Sequence, residues 1–250
     1  MDLTLVLAVR DVKIRYQLSV LGIYWALINP MLMALVWGFV FNNMFKSQGV
    51  EGVPYLVFLF CGLTLWQLFS NSIMSSVNSL VGNATMLSKV SFERIILPSS
   101  SIIARFVDFI FSLLILIVLM VYYDISVTKE VLWLPLLLIV QLMFTAGLAY
   151  LFSAINVFFR DVSQIISVVL MLWMYISPVL YTVKQIPEDI RKYFSYNPIG
   201  QLIHMEVTAI FGKTGPNIND LLLTTSISIV TLFIGILIFK KLEGSFAEVM

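Results

Sequence analysis

The run VLWLPLLLIVQLMFTAGLAYLFSAINVFF, residues 131–159, contains no Asp, Glu, Lys or Arg. A helix crosses a hydrocarbon core of about 30 Å with about 20 apolar residues, so this run is long enough to span. It is continuous in its apolarity, whereas membrane β-barrel strands read as short alternating segments. Four further charge-free runs follow from the same test: 16–45, 52–88, 162–183 and 221–239. A sixth, 109–123, is short, and reaches full length only by extension back to Pro98, which takes in Arg105 and Asp108. These two lie three apart, on one helix face, and can pair.

Composition agrees. Of 250 residues, 60% are hydrophobic and 12% charged, against roughly 25% charged in soluble domains. A soluble fold still exposes about half its surface as apolar atoms, and a chain this apolar needs lipid as its solvent. The expected fold is therefore an all-α integral membrane protein with six spans: TM1 22–44, TM2 54–76, TM3 98–123, TM4 131–158, TM5 162–183 and TM6 220–240. The first sixteen residues mix Leu and Val with Asp2, Arg10, Asp11, Lys13 and Arg15. That is not a secretory signal pattern, and it suits a helix lying at the headgroups, at about 2–18.

Orientation follows from Lys and Arg near the span ends. With both termini on one side, that side carries nine, namely Arg10, Lys13, Arg15, Lys89, Arg94, Arg105, Arg160, Lys240 and Lys241, against six on the other. Both termini are expected to be cytoplasmic. Two connections are too patterned for simple loops. GNATMLSKVSFERIILP (82–98) reads as a short amphipathic helix stopped at Pro98. In 184–212, Pro187 opens a short helix with acids in its first turn. Asn197-Pro198 then breaks the chain, and an apolar run too short to span follows, expected to be re-entrant or interfacial.

Catalytic chemistry is not legible. The chain has no HExxH, GxSxG or GxGxxG and no Cys/His cluster, so no catalytic residue and no metal ligand is assigned. Gly212-Lys213-Thr214 lacks the glycine that a phosphate loop requires at position 207, which is Val. Cys61, the single cysteine, reads as a core thiol. His204, the single histidine, stands near Glu206 and is open to a proton-relay or an interfacial reading. Arg105–Asp108 reads as a structural pair with a snorkelling Arg, or as an ion-coupling site.

Five stretches, taken in order, resemble one family: RDVKIRYQLSVLGIYWALINP (10–30), GNATMLSKVSFERIILP (82–98), NVFFRDVSQII (156–166), SPVLY (177–181) and YNP (196–198). Together they are similar to the ABC-2 type permeases that export O-antigen, teichoic acid and capsule polysaccharides. The resemblance implies a bacterial cytoplasmic (inner) membrane protein in which two permease copies pair with two copies of an ATP-binding subunit. ATP and Mg sit on that partner, and this chain carries no cofactor. The implied cargo is a lipid-linked polysaccharide, with membrane lipid around the chain and no nucleic acid. The 2–18 helix, with Arg10, Lys13 and Arg15, becomes an interface cuff. The 82–98 segment becomes the coupling helix, with Lys89, Phe92, Glu93 and Arg94 against the ATPase. The 184–212 segment becomes outer re-entrant helices, and TM1 and TM5 line the channel.

Aromatic rings stack on sugar faces. Trp37 and Phe41 are four apart in TM1, and Trp173, Ser177 and Tyr181 are four apart in TM5, so each set shares a helix face. A sugar track and plain helix packing or an aromatic belt are both open readings. Pro30 and Pro178 fall in the same two helices and can kink them. An ABC-2 permease for a drug or small lipophile is the main alternative. A secondary transporter is the next, although no internal repeat is evident and TM1, TM2, TM4, TM5 and TM6 carry no charge in mid-span. A membrane-embedded enzyme lacks convergent acids, bases or ligands.

Overall fold

The computed structural model describes residues 3–16, 52–89, 92–194, 196–212 and 215–246, with scattered positions and short runs between Tyr24 and Val50. Among them the chain is helical throughout, in the order α1 Leu3–Tyr16, α2 Tyr55–Gly82, α3 Ala84–Lys89, α4 Ile96–Tyr122, a 3-10 turn Lys129–Trp133, α5 Leu134–Phe158, α6 Val162–Ile176, a 3-10 turn Val183–Gln185, α7 Glu188–Phe194, α8 Pro198–Phe211 and α9 Ile218–Glu243. Among the described residues, four stretches are long and apolar enough to cross a membrane: α2, α4, α5 with its preceding turn, and α9. TM1 at 22–44 falls mostly outside the described residues. Those of its positions that are described are helical, and Trp25, Leu32, Val36 and Phe39 are exposed.

The bundle is organised around α2. Every residue from Val57 to Trp66 is buried, as expected of a helix that is apolar around its whole circumference and enclosed by others. Helices α4, α5, α6 and α8 pack on it. It runs six residues past the expected end at 76, through NSIMSSVNSLVG. Two interhelical bonds are made there. Ser76 donates to the carbonyl of Pro98 at 3.0 Å, and the Val77 carbonyl accepts from Asn156 at 2.9 Å. Inside lipid, polar groups must be satisfied within the protein, and such interhelical bonds tie α2 to α4 and α5.

Helices α5 and α9 form the other close pair. A Cβ added at Gly147 would come within 2.6 Å of the Thr231 backbone, and one added at Gly235 would strike the Gly147 carbonyl. Small residues here let two backbones touch, the usual device where helices pack in lipid.

Two expectations about proline are corrected. Pro98 does not stop a helix; it lies in the first turn of α4, where a missing N–H costs nothing because that N–H has no intrahelical acceptor. TM5 does not continue to 183 with a kink at Pro178. Helix α6 ends at Ile176, and Ser177 is extended at φ −93°, ψ 148°, because the residue before proline is pushed out of the helical region. At 15 residues this helix is about 22 Å long, short of a full span. The segment after it folds back on α2. Tyr55 donates to the Leu180 carbonyl at 2.5 Å, and a Cβ on Gly62 would lie 2.8 Å from the Val179 carbonyl.

The connection between α6 and α9 follows the sequence closely. Asn197 caps α8 by accepting from Gly200 N, with Pro198 in the first turn. Helix α8 is then buried on nearly all sides, wedged against α2, α5 and α9.

Candidate functional site

Two ends of the bundle carry the residues singled out from sequence. At one end α1, the α2–α4 connection and the last turn of α9 converge. Leu7, Leu80, Leu97, Ala154, Val157, Phe239 and Phe246 form a buried apolar cluster, with Phe92, Ile95 and Ile96 packed against it. Arg10 ties α1 to the connection. Its guanidinium pairs with Asp11 at 2.8 Å and donates to Asn83 Oδ1 at 3.0 Å. Lys13 and Glu93 are exposed, and Phe92 is half-buried. The side chains of Arg15 and Lys89 lie outside the described residues, as does Val90.

Arg94 does not share the outward direction of its neighbour Glu93. Its backbone N–H donates to the Glu243 carboxylate at 3.0 Å, its guanidinium donates to the Glu243 carbonyl, and its Cζ lies 5.8 Å from the Phe246 ring centroid. The amphipathic pattern gave no sign of this, because the partners are 149 residues downstream. Arg105 and Asp108 do pair, at 3.4 Å, and Arg105 also donates to Ser75 at 2.7 Å. These contacts fit the structural reading of the pair.

At the other end the expected aromatic face of TM5 is not formed. Trp173 is on α6, while Ser177 and Tyr181 lie beyond its end. Trp173 turns inward: its indole N–H donates to Asn197 Oδ1 at 2.9 Å, and its ring meets Phe69 and Phe144 edge-on at 5.6 and 6.3 Å. Ser177 is buried and its hydroxyl accepts from Asn197 Nδ2 at 3.1 Å. Tyr181 donates back to the Tyr175 carbonyl at 3.1 Å. Asn197 is thus the hub of this corner, a role beyond the chain break read from Asn-Pro. Trp37, Phe41 and Pro30 lie outside the described residues.

Near α2, Glu206 of α8 is fully buried, and neither carboxyl oxygen has a hydrogen-bond partner among the described residues. Gln141 reaches the Leu65 carbonyl at 3.0 Å with its amide nitrogen, while its oxygen lacks a described partner. His204 is half-buried, edge-on to Phe194 at 6.3 Å, and Cys61 is fully buried in the core. A groove of about 510 Å³ between α4, α5 and α9 is lined by Ile102, Phe106, Leu142, Met143 and Ile236. It offers alkyl surface and almost no hydrogen-bonding groups, so it suits lipid and not a hydrophilic sugar. No group of three potential metal ligands occurs among the described residues.

Helix α6 is largely uncovered, as is the outward face of α9. Ile165, Val168, Val169, Leu172, Tyr175 and Ile176 are exposed, and only Ile166 and Leu170 are buried. A bundle of long apolar helices, with a charged platform at one end and a short buried apolar helix at the other, defines a multi-pass membrane protein. The chain belongs to the ABC-2 type transporter family, whose model matches residues 2–211. It is 32% identical over 251 residues to an O-antigen export system permease protein RfbA of Klebsiella pneumoniae, covering 100% of this chain and 95% of that one. A protein of the same name from Myxococcus xanthus is 32% identical over 241 residues, covering 96% and 92%. The polysialic acid transport protein KpsM of Escherichia coli is 24% identical over 248 residues, covering 95% and 92%.

Proposed function

We propose that this chain is the membrane-spanning permease subunit of an ATP-driven exporter that moves a lipid-linked cell-surface polysaccharide across the cytoplasmic membrane. The observation that carries the reading is likeness along the whole chain to permeases named for O-antigen and polysialic acid export. In this reading the chain crosses the membrane six times, with α6 and its fold-back segment as the fifth crossing and both termini cytoplasmic. The chain is not itself an enzyme. ATP and Mg bind a separate ATP-binding subunit, present in two copies beside two copies of the permease.

Each copy presents α6, whose apolar stripe at Ile165, Val168, Leu172 and Tyr175 is uncovered in the single chain. Spacings of three and four keep these on one face, suited to a second copy across the transport path. The polysaccharide is held by many weak contacts, with Trp37, Phe41 and Tyr181 as the remaining ring candidates. Trp173 and Ser177 instead hold the corner at Asn197.

At the α1 end, ATP-driven closure of the partner presses on the 82–98 segment through Lys89, Phe92 and Glu93, while the Arg10, Lys13 and Arg15 helix frames the contact. The pressure meets a platform already packed as one unit, since Arg10 bridges α1 to Asn83. Deletion of the gene tests the reading. Cells without it should lose surface polysaccharide and accumulate lipid-linked polysaccharide inside, and the wild-type gene should restore export. Unchanged surface polysaccharide contradicts the assignment.

A further inference from the structure

We infer that Arg94 is a positioning residue that clamps the 92–95 turn to the end of α9, so that force on this segment moves α9 and α5 together. The inference rests on the reading of 82–98 as the segment on which the ATPase acts. Three contacts converge on Arg94, and all come from the last residue of α9 or the turn beyond it. The Arg94 N–H is received by the Glu243 carboxylate at 3.0 Å, the guanidinium is received by the Glu243 carbonyl, and the cation sits over Phe246, 5.8 Å from the ring centroid. Helix ends leave carbonyls without intrahelical partners and carry partial negative charge. An arginine from another segment answers both needs at once.

Neither side of this clamp is loose. Phe246 is buried against Phe239 at 5.6 Å and Phe158 at 5.9 Å. On the other side, Phe92, Ile95 and Ile96 pack on the same cluster. From Glu243 the path continues along α9 to Gly235, where the backbone rests on Gly147 of α5 with no side chain between. Helix α5 in turn holds α2 through Gln141–Leu65 and Asn156–Val77, and it packs on α8 through Leu137 and Val140. A push on the turn at 92–95 therefore reaches α9 and α5 directly and α8 through them. Glu93 and Arg94 divide the work: one faces outward and the other is fastened inward.

The test uses the full complex of permease and ATPase, in cells and after purification. In Arg94→Ala, the ATPase should co-purify at the wild-type ratio and hydrolyse ATP, while polysaccharide exported per ATP falls about tenfold, the change expected when one charge-assisted hydrogen bond is lost from a driven step. Arg94→Lys, which keeps the cation, should recover part of that loss. Phe246→Leu and Glu243→Ala weaken the clamp from the α9 side and should uncouple in the same way, even where Arg94→Ala fails to accumulate. In a Cys61→Ala background, Arg94→Cys/Glu243→Cys should export poorly until a short bismaleimide joins the two positions.

Normal export per ATP in the α9-side variants, or no recovery on cross-linking, overturns the clamp. Loss of ATPase from the Arg94→Ala complex also overturns it, because Arg94 is then a docking residue. The underlying reading fails separately: a Glu93→Arg/Lys89→Glu permease that binds and couples to the ATPase normally removes 82–98 as the site of action.

Discussion

Helices α2 and α6 are both apolar and lie side by side, yet one is enclosed and the other bare. Nineteen of the 28 residues of α2 are buried, against two of the 15 in α6. The difference does not come from hydrophobicity, since lipid accepts either helix. It comes from what else is present. Polar residues of α2 reach partners on neighbouring helices or are enclosed by them: Ser76 donates to the Pro98 carbonyl, and Thr64 and Ser72 are buried, as suits polar groups kept away from hydrocarbon. Helix α6 has few polar groups and can face lipid or a second protein surface. In the proposed exporter that bare face meets a second copy of the chain.

The largest expected effect is an all-or-none one. Val168→Cys in a Cys61→Ala background should give cross-linked dimers on oxidation in membranes. Phe233→Cys, equally exposed but on α9, should stay monomeric. The reverse result would move the dimer face from α6 to α9.

Next in size is the stability contrast between the two helices. Phe69 of α2 is fully buried between Phe144 and Trp173. Phe69→Ala should cost about 3–5 kcal/mol, the usual range for a buried aromatic. Leu172→Ala on α6, exposed within one chain, should cost under about 1 kcal/mol in the dissociated single permease, where it loses no buried contacts. Thermal unfolding of the purified permease in detergent compares them, and equal losses would show that α6 is as enclosed as α2.

Smaller still is the polar tie between α5 and its neighbours. Asn156 donates to Val77 and accepts from Ser163 N at 3.1 Å. Asn156→Leu should cost about 1–2 kcal/mol, near the upper range for interhelical hydrogen bonds in membranes, and the same unfolding assay reads it. The smallest effect is expected at Glu206. An ionised carboxylate buried without partners would cost several kcal/mol, so the neutral isostere fits the site as it stands. Glu206→Gln should shift stability by less than about 1 kcal/mol, whereas Glu206→Lys should prevent accumulation of folded protein. A large loss in Glu206→Gln would mean that the charge itself is needed.

The contrast also separates what could be read from sequence and what could not. The helices α2, α5 and α9 were legible because long charge-free runs have one physical meaning at that length. The Arg105–Asp108 pair was legible because residues three apart on a helix meet. The end of α6 was not, since a proline inside an apolar run can either kink a helix or finish it, and the fold-back of Val179 onto Gly62 decides which. Trp173 sits at a spacing that suits a channel face, but its direction depends on Asn197, more than twenty residues away. Arg94 carried the same difficulty further. Its partners belong to the far end of the chain, and no local pattern announces them. The partnership with an ATPase and the polysaccharide cargo were suggested by resemblance alone, because sugar leaves no charge or metal signature in a membrane sequence.

The most direct test of the central claim is transport by the purified parts. Permease and ATP-binding subunit are reconstituted together in liposomes, with the ATPase facing the bath, and labelled lipid-linked polysaccharide is placed in the outer leaflet. The label should become protected from external glycosidase only when ATP, Mg and both subunits are present. Protection driven by an ion gradient without the ATPase, or no protection with the complete hydrolysing complex, would contradict it.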